Sequence, residues 1–288
     1  MAASPLRLRT HKHIRKISLP SESHPLFRRF DEQLSKLRSS TCSSTLPSIR
    51  SKMDVLQDLY DCIDDMFLLS NTQQVFAKEC QEKWVEDALD GLLMLLDACA
   101  SSKNIISETK EDIQGLVSMM RRRRKDVSEF GTYFASRKNV KKLIQKSLKD
   151  LKTKKTPQAN LDKDQETVVI ATMMKEVGSI TLALFQSLLS HIAGGSKSQS
   201  RWSLVSKLMQ NNNTKPCQSS VVANEFEEVD VAVLAIISEK ISKSNEIFKV
   251  QNLLGDMESE IREMEKVLES LFKRLIKTRV SLLNMHGH

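Results

Sequence analysis

The sequence predicts an all-α protein: an elongated helical bundle with a long C-terminal helix and a flexible N-terminal tail. Three observations predict this class. The 288 residues contain only eight glycines and six prolines, too few for the turns of a many-stranded sheet protein. Apolar residues recur at three- and four-residue spacing along most of the chain, without a lasting two-residue alternation. The final part of the chain carries a sustained heptad pattern.

The first half of the chain reads as a basic tail followed by amphipathic helices. Residues 1–20 lack apolar periodicity, so we expect them to form the flexible tail. Apolar stripes then predict five helices, at about residues 27–37, 53–67, 72–100, 107–131 and 138–152. These helices make up a predicted N-terminal helical region, residues 21–152.

The second half of the chain begins after the best internal boundary, a predicted linker at residues 153–164. This linker contains Pro157 and has no apolar stripe. The C-terminal helical region, residues 165–288, is predicted to hold a helix at 165–193 and a shorter one around Trp202. We expect the two regions to pack together as one domain.

The clearest periodicity lies in the last helix. Ten of its eleven stripe positions are apolar, and the stripe comprises Ile247, Val250, Leu254, Met257, Ile261, Met264, Leu268, Leu271, Leu275, Thr278 and Leu282. Such heptads can form an oligomeric coiled coil, which makes a second copy of the chain a candidate partner. Neighbouring apolar residues widen the stripe, however, and a wide stripe favours packing inside the same bundle.

The sequence also indicates the cellular compartment of the protein. The five cysteines are scattered and form no C-x-x-C pair, which favours a reducing compartment. The N-terminus lacks the apolar core of a secretory signal. The longest uncharged stretch, Val177 to Ser196, is near the length of a membrane span, but its Gln, His, Ser and Gly residues favour a buried bundle helix. We therefore expect a cytoplasmic protein, with peripheral membrane association as an option.

Charge is concentrated in one block. The net charge of +8 hides an acidic segment at residues 31–120 and a basic one at residues 121–155, which holds 14 basic and three acidic side chains. Such a block can pair with acidic parts of the same chain or with a phosphate-bearing partner.

The helix within this block is amphipathic. Val140, Leu143, Ile144, Leu148 and Leu151 form its stripe, and Arg137 is assigned to its basic surface. Such a helix suits an anionic membrane, whereas few aromatic residues and no reading motif disfavour nucleic acid. Internal pairing is the alternative. The candidate residues for an anionic partner are Arg121, Arg122, Arg123, Arg124, Lys138, Lys141, Lys142 and Lys146.

Catalytic and metal sites find little support. Asp58, Asp61, Asp64 and Asp65 could share a hard cation, but a solvated acidic face is the favoured interpretation. The six histidines show no H-E-x-x-H spacing, and G-x-S-x-G and P-loop patterns are absent. We therefore assign no catalytic, cofactor-binding or metal-binding residues.

One regulatory site is predicted in the tail. Ser18 follows Arg15 at the spacing that suits a basophilic kinase, and Pro20 lies two residues further on. Phosphorylated Ser18 would then be a candidate ligand for a 14-3-3 protein. An unmodified basic tail is the alternative.

Several segments together resemble the plant-specific BYPASS-like family. The resemblance follows chain order over nearly the whole sequence. Its segments are HKHIRKISLPSESHPL, LYDCIDD followed by NTQQ, KWVEDALDGLLMLLDAC, MMRRRRKD, FASRKNVKKLIQK and LESLFKRLIKTRVSLLNM.

This resemblance implies a role in root and shoot development and effects on a root-derived mobile signal. It brings no catalytic residues, so we expect a non-enzymatic regulatory or scaffold protein with protein partners. An enzyme that makes or modifies a small signalling molecule is the alternative from another class. A peripheral membrane adaptor is a more specific form of the first expectation.

Overall fold

A computed structural model describes residues 24–39, 45–70, 72–74, 83–122, 127–153, 165–194, 224–238 and 244–286. These residues form an all-α bundle without a strand, which confirms the predicted fold class. In chain order, the helices are α1 (Pro25–Ser39), α2 (Leu46–Phe67), α3 (Lys83–Arg121), α4 (Val127–Thr153), α5 (Gln165–Ala193), α6 (Glu225–Ile237) and α7 (Ser244–His286). The predicted tail, most of the predicted linker and the helix around Trp202 lie outside the described residues.

Helix α3 corrects two predictions. It is one continuous helix of 39 residues, so the predicted break between residues 100 and 107 is wrong. The polar side chains there are accommodated because Ser102 and Thr109 donate hydrogen bonds to carbonyls one turn earlier, over 2.9 and 2.7 Å. The predicted continuation toward Gly131 is also wrong, because α3 ends at Arg121 and Gly131 lies in α4.

Helix α6 was not predicted separately, and its ends follow ordinary capping rules. The Oδ1 atom of Asn224 accepts a hydrogen bond from the Glu227 amide over 2.8 Å, and three glutamates lie in the first turn. Gly194 follows α5 with a φ of 78°, where a Cβ would lie 2.9 Å from Oε1 of Glu227. Glycine is therefore required where α5 ends against α6.

The long helix α7 forms the centre of the bundle. It shares its largest interface with α3 and its next largest with α2. From Val250 to Leu282, all ten stripe positions are buried, and Leu254, Leu268 and Leu275 are 0% exposed. The heptad stripe thus packs against helices of the same chain, as its width predicted.

Ion pairs outside the stripe show how α7 runs relative to its neighbours. Lys110 of α3 pairs with Glu265 of α7 over 2.6 Å, and Lys103 pairs with Glu269. Residue numbers rise on α3 as they fall on α7, so the two helices are antiparallel. Arg274 of α7 donates to both carboxylate oxygens of Asp61, so the acidic helix α2 is held by basic residues of α7.

Two described cysteines, Cys62 and Cys99, are buried free thiols. Burial raises the pKa of the Cys99 thiol to about 12. The thiolate form is therefore scarce at neutral pH, and Cys99 is a packing residue rather than a nucleophile.

Candidate anionic-partner surface

Helix α4 has a buried face that fixes its orientation. Phe130, Tyr133, Val140, Ile144 and Leu151 recur at three-, four- and seven-residue spacing, and each is less than 9% exposed. They face a bundle that includes α3 and α5, both of which contact α4. Because these side chains are anchored in the core, the opposite side of α4 is presented to solvent in a fixed orientation.

Four exposed lysines lie on that outer side: Lys138, Lys142, Lys146 and Lys149. Their spacings of four, four and three residues place them along one side of the helix. At 1.5 Å per residue they extend over about 16 Å. We call these four residues the lysine face; it contains three of the predicted candidates and adds Lys149.

Lys141, a further predicted candidate, has a different environment. Its side chain is 15% exposed, and its Nζ lies 3.4 Å from Oδ2 of Asp230 on α6. Burial, followed by the charge of Arg137, lowers the pKa of Lys141. It therefore contributes to an internal contact between α4 and α6 and not to the lysine face.

Arg137 forms the centre of that internal contact, and its predicted surface position is wrong. It is only 2% exposed, and its Nη2 donates to the carbonyl oxygen of Ile192 at the end of α5 over 2.5 Å. Its Nε lies 3.6 Å from Asp230, and its guanidinium lies 5.1 Å from the ring centroid of Phe226. Arg137 thus connects α4 to both α5 and α6.

Tyr133 completes the contact, which we call the Arg137 cluster: Tyr133, Arg137, Lys141 and Asp230. The Tyr133 hydroxyl donates to Oδ1 of Asp230 over 2.7 Å. Burial, with the negative charge of Asp230, holds the pKa of Tyr133 well above its usual value of 10. The hydroxyl therefore keeps its proton and remains a donor to Asp230.

A sequence signal for this cluster exists but was missed. Tyr133, Arg137 and Ile144 are four and seven residues apart, so Arg137 lies on the same face as the apolar residues. Its charge suggested a surface position, whereas the spacing indicated the core. The partner Asp230 lies 97 residues after Tyr133, and local sequence patterns do not report such pairings.

The remaining predicted candidates lie elsewhere. Arg121 and Arg122 are exposed at the C-terminus of α3, where positive charge complements the helix dipole. The Nε of Arg122 donates to the carbonyl oxygen of Ser118 over 3.3 Å. Arg123, Arg124 and Ser18 lie outside the described residues.

The aspartate run of α2 is not the solvated face that was predicted. Asp65 is exposed, but Asp64 is 3% exposed, accepts a hydrogen bond from the Thr278 hydroxyl over 2.7 Å and lies 3.1 Å from Nζ of Lys277. Asp61 is bound by Arg274. These two carboxylates therefore neutralise basic residues of α7.

Metal-binding side chains do not gather in the described part of the chain, where no three His, Cys, Asp or Glu residues form a group that could hold an ion. The described histidine with a buried ring, His191, is 7% exposed and lies 2.8 Å from Glu225. It joins α5 to the first turn of α6 and is a packing residue.

Helix α5 is the one described helix that is long and apolar enough to cross a membrane, from Val169 to Ala193. Half of an apolar stretch of 18 residues within it is buried inside the protein. Val177, Phe185 and Leu188 are at most 1% exposed, and the Thr181 hydroxyl lies 2.9 Å from that of Tyr60 on α2. These contacts favour the interpretation of α5 as a core helix.

Comparison with known proteins identifies a family model that matches most of the chain. The family model described as Protein BPS1 matches residues 52–285, which covers all but the first described helix and the beginning of α2. No curated protein and no solved structure matches the chain. The matched range includes the segments from LYDCIDD onward that carry the resemblance, and membership points to a regulatory role in plant development. The chain belongs to the Protein BPS1 family, the BYPASS family of plant proteins.

Proposed function

We propose that this protein is a non-enzymatic regulatory protein of plant development that docks on anionic membrane surfaces through the lysine face of α4. One observation carries this proposal. Lys138, Lys142, Lys146 and Lys149 are exposed together on one side of a helix whose other side is buried. A rigidly presented row of positive charges is suited to a flat, negatively charged surface.

The expected attraction is substantial. Each basic side chain near an anionic leaflet contributes about 1 kcal/mol, so four together are sufficient for reversible binding. The attraction decays within a Debye length of about 8 Å at physiological salt, which requires the lysines to approach the surface closely. Their position on the outer side of α4 allows that approach.

An exposed apolar residue lies at one edge of the lysine face. Leu143 is 41% exposed and lies three residues before Lys146, which makes the two side chains neighbours on the helix. Interfacial helices combine basic residues with apolar side chains that enter the boundary between headgroups and acyl chains. Leu143 is placed to make such a contact while the lysines bind headgroups.

The aromatic residues of α4 favour lipid over nucleic acid as the partner. Phe130 and Tyr133 are buried, and Phe134 is half-buried and packs against the Tyr133 ring with centroids 5.2 Å apart. Proteins that bind single-stranded nucleic acid stack bases on accessible aromatic rings. The described part of α4 directs these rings toward the core.

Vesicle binding by the full chain tests the proposal. We expect the protein to cosediment with phosphatidylcholine vesicles that contain phosphatidylserine, and to bind pure phosphatidylcholine vesicles weakly. Replacement of all four lysines (Lys138→Gln, Lys142→Gln, Lys146→Gln and Lys149→Gln) should weaken binding about tenfold or more while the apolar face remains intact. Added salt should weaken binding of the wild type more than that of the variant.

A matched control separates the lysine face from total charge. The exposed residues Lys83, Lys249, Lys266 and Lys273 lie on α3 and α7. Their replacement by Gln removes the same four charges, and we expect it to retain most of the binding. Equal loss in both variants, or no binding by the wild type, would contradict the proposal.

A further inference from the structure

A cavity of 210 Å³ that is partly open to solvent lies between α3 and α5, away from the lysine face. Trp84, Leu92 and Leu95 of α3 and Met174 of α5 form much of its apolar wall. None of the described residues that line it belongs to α4, so the cavity is separate from the lysine face.

Small residues keep this space open. Gly91 of α3 and Gly178 of α5 both line the cavity, as do Ala88 and Ala171. A Cβ added at Gly91 would meet no atom within 4 Å, so a larger side chain could enter the space. Glycine within a helix also destabilises the helix relative to alanine. The two helices thus leave volume that ordinary side chains could fill.

The polar groups of the cavity define the chemistry it can accept. Among the described lining residues, Asp87 and Lys175 contribute one negative and one positive charge, so these residues together carry no net charge. The Tyr60 hydroxyl already shares a hydrogen bond with the Thr181 hydroxyl, 2.9 Å away. The rest of the wall offers mainly aliphatic and aromatic contacts.

We propose that the cavity is a binding site for a small, uncharged and predominantly apolar molecule of about the size of one substituted ring. An enclosed apolar cavity of about 150 Å³ binds benzene, so a cavity of 210 Å³ has room for a ring with a substituent. A charged molecule would lose hydration on entry without a net opposite charge to replace it. Dispersion contacts with the side chains of Met94 and Met174 and with the indole ring of Trp84 would stabilise the bound molecule.

Methionine methyl NMR of the full chain tests this site directly. Toluene serves as the uncharged probe and benzoate as an anionic probe of similar shape. We expect saturable shifts of the Met94 and Met174 methyl signals, since both residues line the cavity. Met53 and Met264, which are 0% exposed elsewhere in the core, should remain unchanged. Benzoate should bind at least tenfold more weakly than toluene.

Two glycine variants on the same helix provide a matched pair. Gly91→Leu should fill the cavity and abolish the toluene-dependent shifts. Gly115→Leu makes the same change on α3 where an added Cβ also meets no atom within 4 Å, outside the cavity, and should retain them. Circular dichroism melting curves confirm that both variants are folded, and Ala171→Leu replaces Gly91→Leu if the latter is not. Any of three results would overturn the proposal. These are toluene-dependent shifts of wild-type size in a folded cavity-filling variant, an absence of saturable shifts in the wild type, and binding of benzoate as strong as that of toluene.

Discussion

Helices α7 and α4 both combine an apolar stripe with many basic residues, yet some of these residues lie in different surroundings on the two helices. On α7, Arg274 and Lys277 pair with Asp61 and Asp64 of α2. On α4, four lysines form the exposed lysine face. The acidic helix α2 lies beside α7 and is not among the main neighbours of α4. Whether a basic helix is neutralised inside the fold depends on its neighbours, not on its own pattern.

The largest effect expected from this comparison concerns the apolar stripes. Leu268→Asp places a charge at a position that is 0% exposed, so we expect a loss of about 4 kcal/mol or more in the free energy of unfolding. Leu143→Asp makes the same change at a position that is 41% exposed on α4, and should cost about 1 kcal/mol or less. Urea denaturation followed by circular dichroism measures both. Similar losses for the two variants would show that Leu143 is as deeply buried in solution as Leu268.

Sequence patterns predicted the stripe of α7 because apolar spacing reports burial directly. They failed at Arg137, where charge was taken as evidence of exposure although the spacing placed the residue among buried neighbours. They also failed at Asp64, whose burial depends on Thr278 and Lys277 of a helix more than 200 residues away. Local periodicity reports which face is buried. It does not report which distant side chain will compensate a charge on that face.

The lysine face was predicted only in part, because local periodicity identifies the exposed side of α4 but not the distant partner of a charged residue. Lys138, Lys142 and Lys146 were identified from their spacing outside the apolar stripe, and the structure places all three on the exposed side. Lys141 was assigned to the same basic surface because it also lies outside the apolar stripe. Only the presence of Asp230 opposite α4 shows that Lys141 faces inward.

The second prediction compares two adjacent basic residues of α4. Arg137→Met removes the buried guanidinium and leaves the Ile192 carbonyl oxygen without this donor. Breaking a buried charge pair in this way should lower the free energy of unfolding by about 3–5 kcal/mol. Lys138→Met, one residue further along and exposed, should change it by about 0.5 kcal/mol or less. Calorimetric unfolding of both variants measures the difference, and a small effect of Arg137→Met would contradict the structural role assigned to the Arg137 cluster.

The smallest predicted effect is a pH dependence of stability that arises from Asp64 of α2. Burial raises the pKa of Asp64 above its usual value of 3.8, despite the hydrogen bond from Thr278 and the ion pair with Lys277. The folded protein therefore holds this proton more tightly than the unfolded chain does. The resulting stabilisation is complete below pH of about 4 and is lost as pH rises through the raised pKa. Each tenfold difference in proton affinity corresponds to about 1.4 kcal/mol.

Replacement of Asp64 separates this contribution from the titration of the rest of the protein. Asp64→Asn removes the proton-binding group but keeps an oxygen that can accept from Thr278. We expect the free energy of unfolding of the wild type, relative to Asp64→Asn, to fall between pH 4 and pH 7. Urea denaturation across this pH range provides the measurement, and a difference that rises with pH would mean that pairing with Lys277 outweighs the burial of Asp64.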